Sequence, residues 1–281
     1  MSATDDVRLT RAGMAWRYAL LGTLAAAVLM PLAAAVLGGF KSLPELRADP
    51  FGLPETWRWQ QYAGILGTSR YWRMMGNSLV IAGGTTGLTL LLASMAAFTF
   101  SHLRFWGQRY LLQYVMVGLL FPAATAILPL FIQVRDLGLL DRHLGVVLPS
   151  VAFSLGAAIL LFRGAFRALP PELLDAALID GAGYLRFFWQ IVLPLSRPIM
   201  ATVGVITFVQ SWNGYLMPLI LLNSVERFPW PLGVMAYQGE FGTDWPLVLA
   251  YVTLTILPVV LLFLVAQRAL VAGLGAGAVK G

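Results

Sequence analysis

Residues able to do chemistry are scarce in this 281-residue chain, and none is spaced to do it. Cysteine is absent, so thiolate nucleophiles, disulfides and thiolate metal sites are excluded. The two histidines, His102 and His143, each lack another histidine at metal-ligand spacing, and they read as ordinary loop or interface residues. A nucleotide-hydrolysing P-loop needs a lysine after glycine and before serine or threonine. Of the two lysines, Lys41 precedes Ser42 but follows Phe40, and Lys280 is the penultimate residue. The chain therefore reads as a non-enzyme with no cofactor of its own, and any uphill work must be driven by a partner. The one dense polar cluster is the stretch PPELLDAALIDGAGYLRFFWQIVLP, residues 170–194, which lies between two long apolar runs.

The elements that must position that stretch follow from composition. Hydrophobic residues make up 59% of the chain and charged residues 11%, about half the charged share of an ordinary soluble domain. A soluble core cannot hide that much apolar surface, so the solvent is lipid. Windows free of charge and long enough to cross a hydrocarbon core of roughly 30 Å occur at 18–40, 74–101, 110–134, 144–162, 198–225 and 245–267. They lack the alternation of a membrane β-barrel, and they predict six α-helices. The expected fold is an all-α polytopic membrane protein, one transmembrane domain over 1–281 with six spans. Prolines at positions 31, 122, 129, 149, 218 and 258 fall in or beside spans and are expected to kink them. The motif LAAAVLGG near the end of the first window has the small residues of a signal-peptide cleavage site. That window is longer than a typical signal core, so a span is expected there.

Orientation follows from the basic residues. With a cytoplasmic N-terminus, the inner segments hold 11 Lys and Arg and the outer segments 8, while 5 of the 13 acids are inner and 8 outer. The inner side then carries the whole net charge of +6, and both termini are expected to be cytoplasmic. Because the basic residues are scattered, membrane topology explains the excess and no nucleic-acid partner is expected. The predicted span interiors contain no Asp, Glu, Lys, Arg or His. Charges in hydrocarbon cost several kcal/mol and mark proton relays, so a proton-coupled carrier is disfavoured. A sodium-coupled carrier working through carbonyls and hydroxyls is disfavoured less.

The polar stretch reads as a short helix of about ten residues lying outside the membrane. Pro170 and Pro171 suit its entrance, and Glu172 in the first turn complements the positive end of the helix dipole. Leu173, Leu174, Ala177 and Leu178 form an apolar stripe, and Gly181 supplies the stop. Ala176 and Ala177 keep one flank thin enough for another surface to approach closely. Asp180 opposes the dipole, a local misfit of the kind that has a tertiary or functional cause, with Arg186 or a partner protein as candidates to satisfy it. The stretch has little apolar face and no basic residue between 168 and 185, so partner docking is favoured over headgroup binding.

Asp175-Ala176-Ala177, three residues, Gly181, nine residues, then Ile191-x-Leu193-Pro194 resembles the EAA loop of ABC-importer permeases, with aspartate where that family usually has glutamate. The segments NSLVIA at 77–82, SWNGYLMPL at 211–219 and QRALVAGLGAGAVKG at 267–281 are similar to the carbohydrate, maltose-transporter-type branch. The resemblance implies a type I importer permease fold in a bacterial cell membrane. It also implies a homologous second permease, two ATPase subunits holding ATP and Mg, and an extracytoplasmic solute-binding protein. Within the loop 164–197, the helix from Pro171 would be the coupling helix. Leu173, Ala176, Ala177 and Leu178 would pack on the ATPase, with Glu172, Asp175 and Asp180 as its acids. Gly181 would be a turn that a side chain obstructs, and Leu193 and Pro194 would close the motif. Gly277 and Lys280 lie on a tail of the kind that reaches toward the ATPase interface, and they are equally consistent with a frayed end.

Trp212, Asn213 and Tyr215 are candidate pathway residues, though membrane-interface aromatics are the favoured reading for them. Trp230, Phe241 and Trp245 could contact the binding protein or anchor helices at the headgroups. The cargo expected is a sugar or oligosaccharide. A glycerol-3-phosphate or polyol importer is the alternative within the family, and an autonomous sodium-coupled carrier the alternative outside it.

Overall fold

A computed structural model describes residues 11–239 and 242–278. The chain forms two compact units, Met1–Gly67 with Tyr237–Leu254, and Thr68–Ala236 with Thr255–Gly281.

The first unit holds α1 (Arg11–Gly38), α2 (Leu43–Ala48), α3 (Trp59–Leu66), a two-residue hairpin of β1 (Gln238–Gly239) and β2 (Gly242–Thr243), and the start of the last long helix (Trp245–Ala278). The segment 41–73, between the first two predicted spans, contains helices. Ser42 and Glu45 form a reciprocal capping box that satisfies two of the free amides at the start of α2. Phe40 sits among Trp57, Trp59 and Tyr62 with ring centroids 5.1, 4.7 and 4.5 Å away. Lys41 is fully buried beside them and donates from Nζ to the Asp49 carbonyl at 2.6 Å. Gly39 is required by close approach, because a Cβ there would lie 2.9 Å from the Ala250 backbone. Along Trp16–Gly38 almost every side chain lies open, as suits a helix solvated by lipid or by another subunit.

The second unit is built on α4 (Ser69–His102), α7 (His143–Phe166) and α11 (Arg197–Trp212), which pack together. Small residues on α4, among them Ala82, Thr85, Thr89, Ala93 and Ala97, are buried and let the backbones approach. Between α4 and α7 run α5 (Gln108–Val117), a short tight turn, and α6 (Ile127–Asp136). Beyond α7 come α8 (Glu172–Ile179), α9 (Tyr184–Phe187), a wider π-type turn over Phe188–Val192, and α10 (Leu193–Leu195). After α11 the chain continues as α12 (Leu216–Leu221) and α13 (Trp230–Gly233), and it ends in α14, the last long helix.

Among the described residues, four helices are long and apolar enough to cross a membrane without interruption: Trp16–Gly38, Ser69–His102, His143–Phe166 and Trp245–Gln267. Two bent helix pairs, Gln108–Leu120 with Ala123–Asp136 and Tyr184–Leu195 with Arg197–Trp212, bring the number up to six if each pair counts as one span. The expected third span is not continuous, since its halves meet at 94° around Phe121 and Pro122. Proline removes an amide donor and pushes the residue before it out of helical geometry, and Phe121 is accordingly extended, with ψ 114°. The expected fifth span, 198–225, is helical only to Trp212. It breaks at Asn213 and Gly214 and resumes as the short α12. Its other end joins Tyr184–Leu195 at 78°. Pro31, Pro149 and Pro258 stay inside continuous helices.

One polar network fixes a corner of this unit. Asp141 takes a left-handed backbone, φ 55°. Its carboxylate accepts the amides of Asn223 and Ser224 at 3.0 and 2.9 Å and the Ser224 hydroxyl, with the Arg227 guanidinium 3.8 Å away. These donors, the Ser224 hydroxyl first, hold the Asp141 carboxyl down to about 2. Asn77 donates to the carbonyls of Glu226 and Phe228 at 2.8 and 3.0 Å, and Ser78 Oγ accepts the Trp230 amide at 2.8 Å. His143 Nε2 lies 3.2 Å from the Arg227 carbonyl. The opening residues of NSLVIA thus staple segment 223–230 by satisfying backbone groups that have no ladder of their own.

Candidate functional site

The polar stretch folds as an exposed helix seated on a buried platform. Eight residues, Glu172–Ile179, are helical, with Pro171 as the cap at helical angles. Gly181 has φ +75°; its amide bonds the Leu178 carbonyl at 3.1 Å, and the Ala182 amide bonds the Ala177 carbonyl at 2.8 Å. This pair of bonds is a Schellman stop, which needs the left-handed backbone that glycine adopts freely. A Cβ at Gly181 would have nothing within 4 Å, so backbone conformation, and not obstruction of a side chain, requires glycine here.

The apolar stripe divides. Ala177 is 5% exposed and sits in a core with Ala97 and Phe98 of α4, Phe162 and Phe166 of α7, and Phe187. Leu173 and Leu174 pack half-buried against the same core. Ala177 is thus committed to its own chain and is not free for the outward packing expected of it, while Leu173 and Leu174 keep part of their surface open. Open to the outside are Ala176, Leu178 and above all Ile179, which is 86% exposed. Leu185, just beyond, is 67% exposed. Of the motif pair Asp175-Ala176-Ala177, the first alanine points out and the second points in.

The three acids, Glu172, Asp175 and Asp180, are all exposed. Arg186 does not satisfy Asp180; its Nε donates to Gln190 Oε1 at 2.9 Å. Among the described residues the ion pairs are Arg135–Asp136 and Arg227–Asp141, and none involves these acids. Ile191 and Leu193 are half-buried against the platform and flank fully buried Val192, while Pro194 is exposed. The closing residues of the motif therefore anchor the loop, and Ile179 with the acids forms its outward surface. His102, the last residue of α4, stacks on Phe98 at 4.8 Å and meets Phe187 edge-on at 5.6 Å, so it too serves the platform.

The candidate pathway residues separate as well. Trp212 is 1% exposed, donates from Nε1 to the Thr255 carbonyl at 3.2 Å and stacks on Phe208 at 5.6 Å, which is a structural role. Asn213 donates to the Val209 carbonyl at 3.0 Å and terminates α11. Tyr215, 44% exposed, borders a cavity. Gly277 lies within α14, which runs past the expected end at 267, whereas Lys280 and Phe241 fall outside the described residues. Trp245 is exposed at the start of α14.

Residues 89–274, which contain the platform and its helix, match the family described as binding-protein-dependent transport system inner membrane component. The chain belongs to that family. This permease is 33% identical over 262 residues to the diacetylchitobiose uptake system permease protein NgcG of Streptomyces coelicolor, covering 92% of this chain and 87% of the relative. It is 36% identical over 258 residues to the sn-glycerol-3-phosphate transport system permease protein UgpE of Escherichia coli, covering 89% and 91%. A chain of a solved bacterial ABC transporter involved in the import of the acidic polysaccharide alginate shares the fold, with TM-score 0.79 at 24% identity over 92% of this chain and 98% of that one.

For the permease, sequence reasoning located the helix and its stop and missed which way it faces. Ile179 and Leu185 stand outside the motif pattern. The available signal was that both are large apolar residues flanking the glycine stop, on a segment already judged to lie outside the membrane.

Proposed function

We propose that this permease is one of two membrane-spanning halves of an ATP-driven importer for sugars or oligosaccharides, and that α8 is the lever by which an ATPase subunit works it. The observation that carries the reading is the seating of α8. Its inner face is locked through Ala177 into a core shared by α4, α7 and the α9 turn, while Ile179 and three acids are left exposed. A pull on the outer face is transmitted to two spans at once, because close-packed cores move as bodies and do not deform continuously. The chain has no P-loop lysine, and the apolar windows 18–40, 74–101, 110–134, 144–162, 198–225 and 245–267 hold no acid or base, so the energy comes from a partner.

Two ATPase subunits carrying ATP and Mg, a homologous second permease and an external solute-binding protein complete the assembly, with α8 and both termini on the cytoplasmic face of a bacterial membrane. The sugar assignment is supported by the likeness to the diacetylchitobiose permease. Affinity purification of the tagged chain from its native membrane, with identification of the bound subunits, tests the proposal. An ATPase and a second permease should co-purify in a ratio of two ATPases per permease pair. Recovery of a homogeneous chain with neither, active in solute uptake, would refute it.

A further inference from the structure

The turn between α4 and α5 pushes its largest side chain out of the protein. Trp106 is 98% exposed, and Arg104, Phe105, Arg109 and Tyr110 around it are exposed as well. The turn itself is tied down. Gln108 Nε2 donates to the carbonyls of Phe100 and Leu103 at 3.0 Å each, satisfying groups at the end of α4. The Leu111 amide bonds the Gly107 carbonyl at 2.9 Å, and Gly107 holds φ +82°. The Phe105 ring lies 6.2 Å from that of Phe100, a member of the platform core. A braced turn thus holds an indole where no part of the chain covers it, and a tryptophan so placed forgoes a large apolar burial.

Depth and charge say what covers it. Leu103–Gly107 is the whole connection between α4 and α5. Five residues folded back on α4 keep Trp106 beside the ends of two apolar helices, at the level of the headgroup layer that adds about 5–8 Å to each side of the hydrocarbon. Tyr110 and Tyr114, one turn apart on α5, are exposed too and continue the aromatic line toward the bilayer. No acid occurs between Glu55 and Asp136, and neither Arg104 nor Arg109 enters an ion pair among the described residues. His102 meets Phe187 at 5.6 Å, so this corner lies at the same end of the bundle as α8. There α8 presents acids and the corner presents the opposite sign.

We infer that the α4–α5 corner is a docking site for an anionic phospholipid, with Arg104 and Arg109 on its phosphate and Trp106 and Tyr110 seated among the headgroups. A guanidinium matches phosphate oxygens with two parallel N–H donors. A zwitterionic headgroup brings its own cation and gains less, so the site prefers a lipid of net negative charge, by roughly fivefold per arginine. Such a site needs only the membrane fold and is independent of what the spans carry or what drives them.

The absence of native cysteine makes the test clean. Leu111→Cys, on the exposed first turn of α5, carries a bimane label in the full chain reconstituted in phosphatidylcholine vesicles. Brominated phosphatidylglycerol or brominated phosphatidylcholine is then added at equal mole fraction, with and without the ATPase subunit. Quenching by the phosphatidylglycerol should be several-fold stronger. The double change Arg104→Gln with Arg109→Gln, on exposed side chains and therefore with wild-type Tm, should bring the two lipids to parity. Trp106→Ser should lower quenching by both. Inorganic phosphate should displace the lipid no more than chloride does at the same ionic strength. Equal quenching by the two lipids in the unsubstituted corner, or a preference that survives loss of both arginines, would overturn the site. So would displacement specific to phosphate, which marks a site for a soluble anion, or loss of all lipid quenching when the ATPase binds, which marks a protein contact.

Discussion

Replacing Ile179 by arginine separates docking from folding. In the isolated chain the side chain is 86% exposed, so the change should cost the permease itself no more than about 0.5 kcal/mol. If α8 seats in a groove of an ATPase subunit, the same change forfeits the burial of an isoleucine and puts a charge into that groove. Together these amount to about 2–4 kcal/mol, or roughly 30- to 700-fold in affinity. Ala177→Arg is the contrast. At 5% exposure, within a core of phenylalanines, it overfills the platform and buries an unpaired charge, so it should unfold the cytoplasmic end of the bundle at a cost above about 4 kcal/mol. The assay titrates purified ATPase subunit against solubilised permease while thermal unfolding of each variant is followed alone. I179R should keep the wild-type Tm and lose binding, whereas A177R should lose both. Binding by I179R within about threefold of wild type would refute the orientation argued for α8.

Three further outcomes follow from particular contacts. Gly181→Ala should destabilise α8 by about 1 kcal/mol, purely from its left-handed backbone, and should lower ATP-coupled uptake; an unchanged Tm would contradict the Schellman stop. Because the Asp141 carboxyl is depressed to about 2 from 3.8, its stabilisation is complete above 3.8 and is lost as pH falls toward 2. Thermal stability in detergent should drop across that window, and Asp141→Asn should flatten the drop. Trp212→Phe should cost about 1–3 kcal/mol through the lost bond to the Thr255 carbonyl with no change in which sugars are carried; altered cargo preference would contradict its structural assignment.

The membrane class, the six apolar segments and the short helix outside them were legible because they rest on composition, on the 20-residue length of a span and on local stop chemistry. The bend at Pro122 was legible as a kink, but its 94° was not, since the angle depends on packing against other helices. The break at Asn213 and Gly214 lay hidden inside an apolar run, where hydropathy alone shows no end. The facing of α8 was misread for a related reason. A stripe of Leu173, Leu174 and Ala177 shows that the helix has an apolar side, and only the tertiary fold shows that the side is claimed by Phe98, Phe162 and Phe187.

The central claim is that this chain has no motor and moves only when an ATPase works α8. Solute uptake into vesicles measures it most directly, comparing the chain alone under an imposed sodium or proton gradient with the full complex supplied with ATP. The account predicts accumulation in the full complex alone, abolished when ATP is replaced by a non-hydrolysable analogue. Concentrative uptake by the chain alone, driven by either gradient, would contradict it.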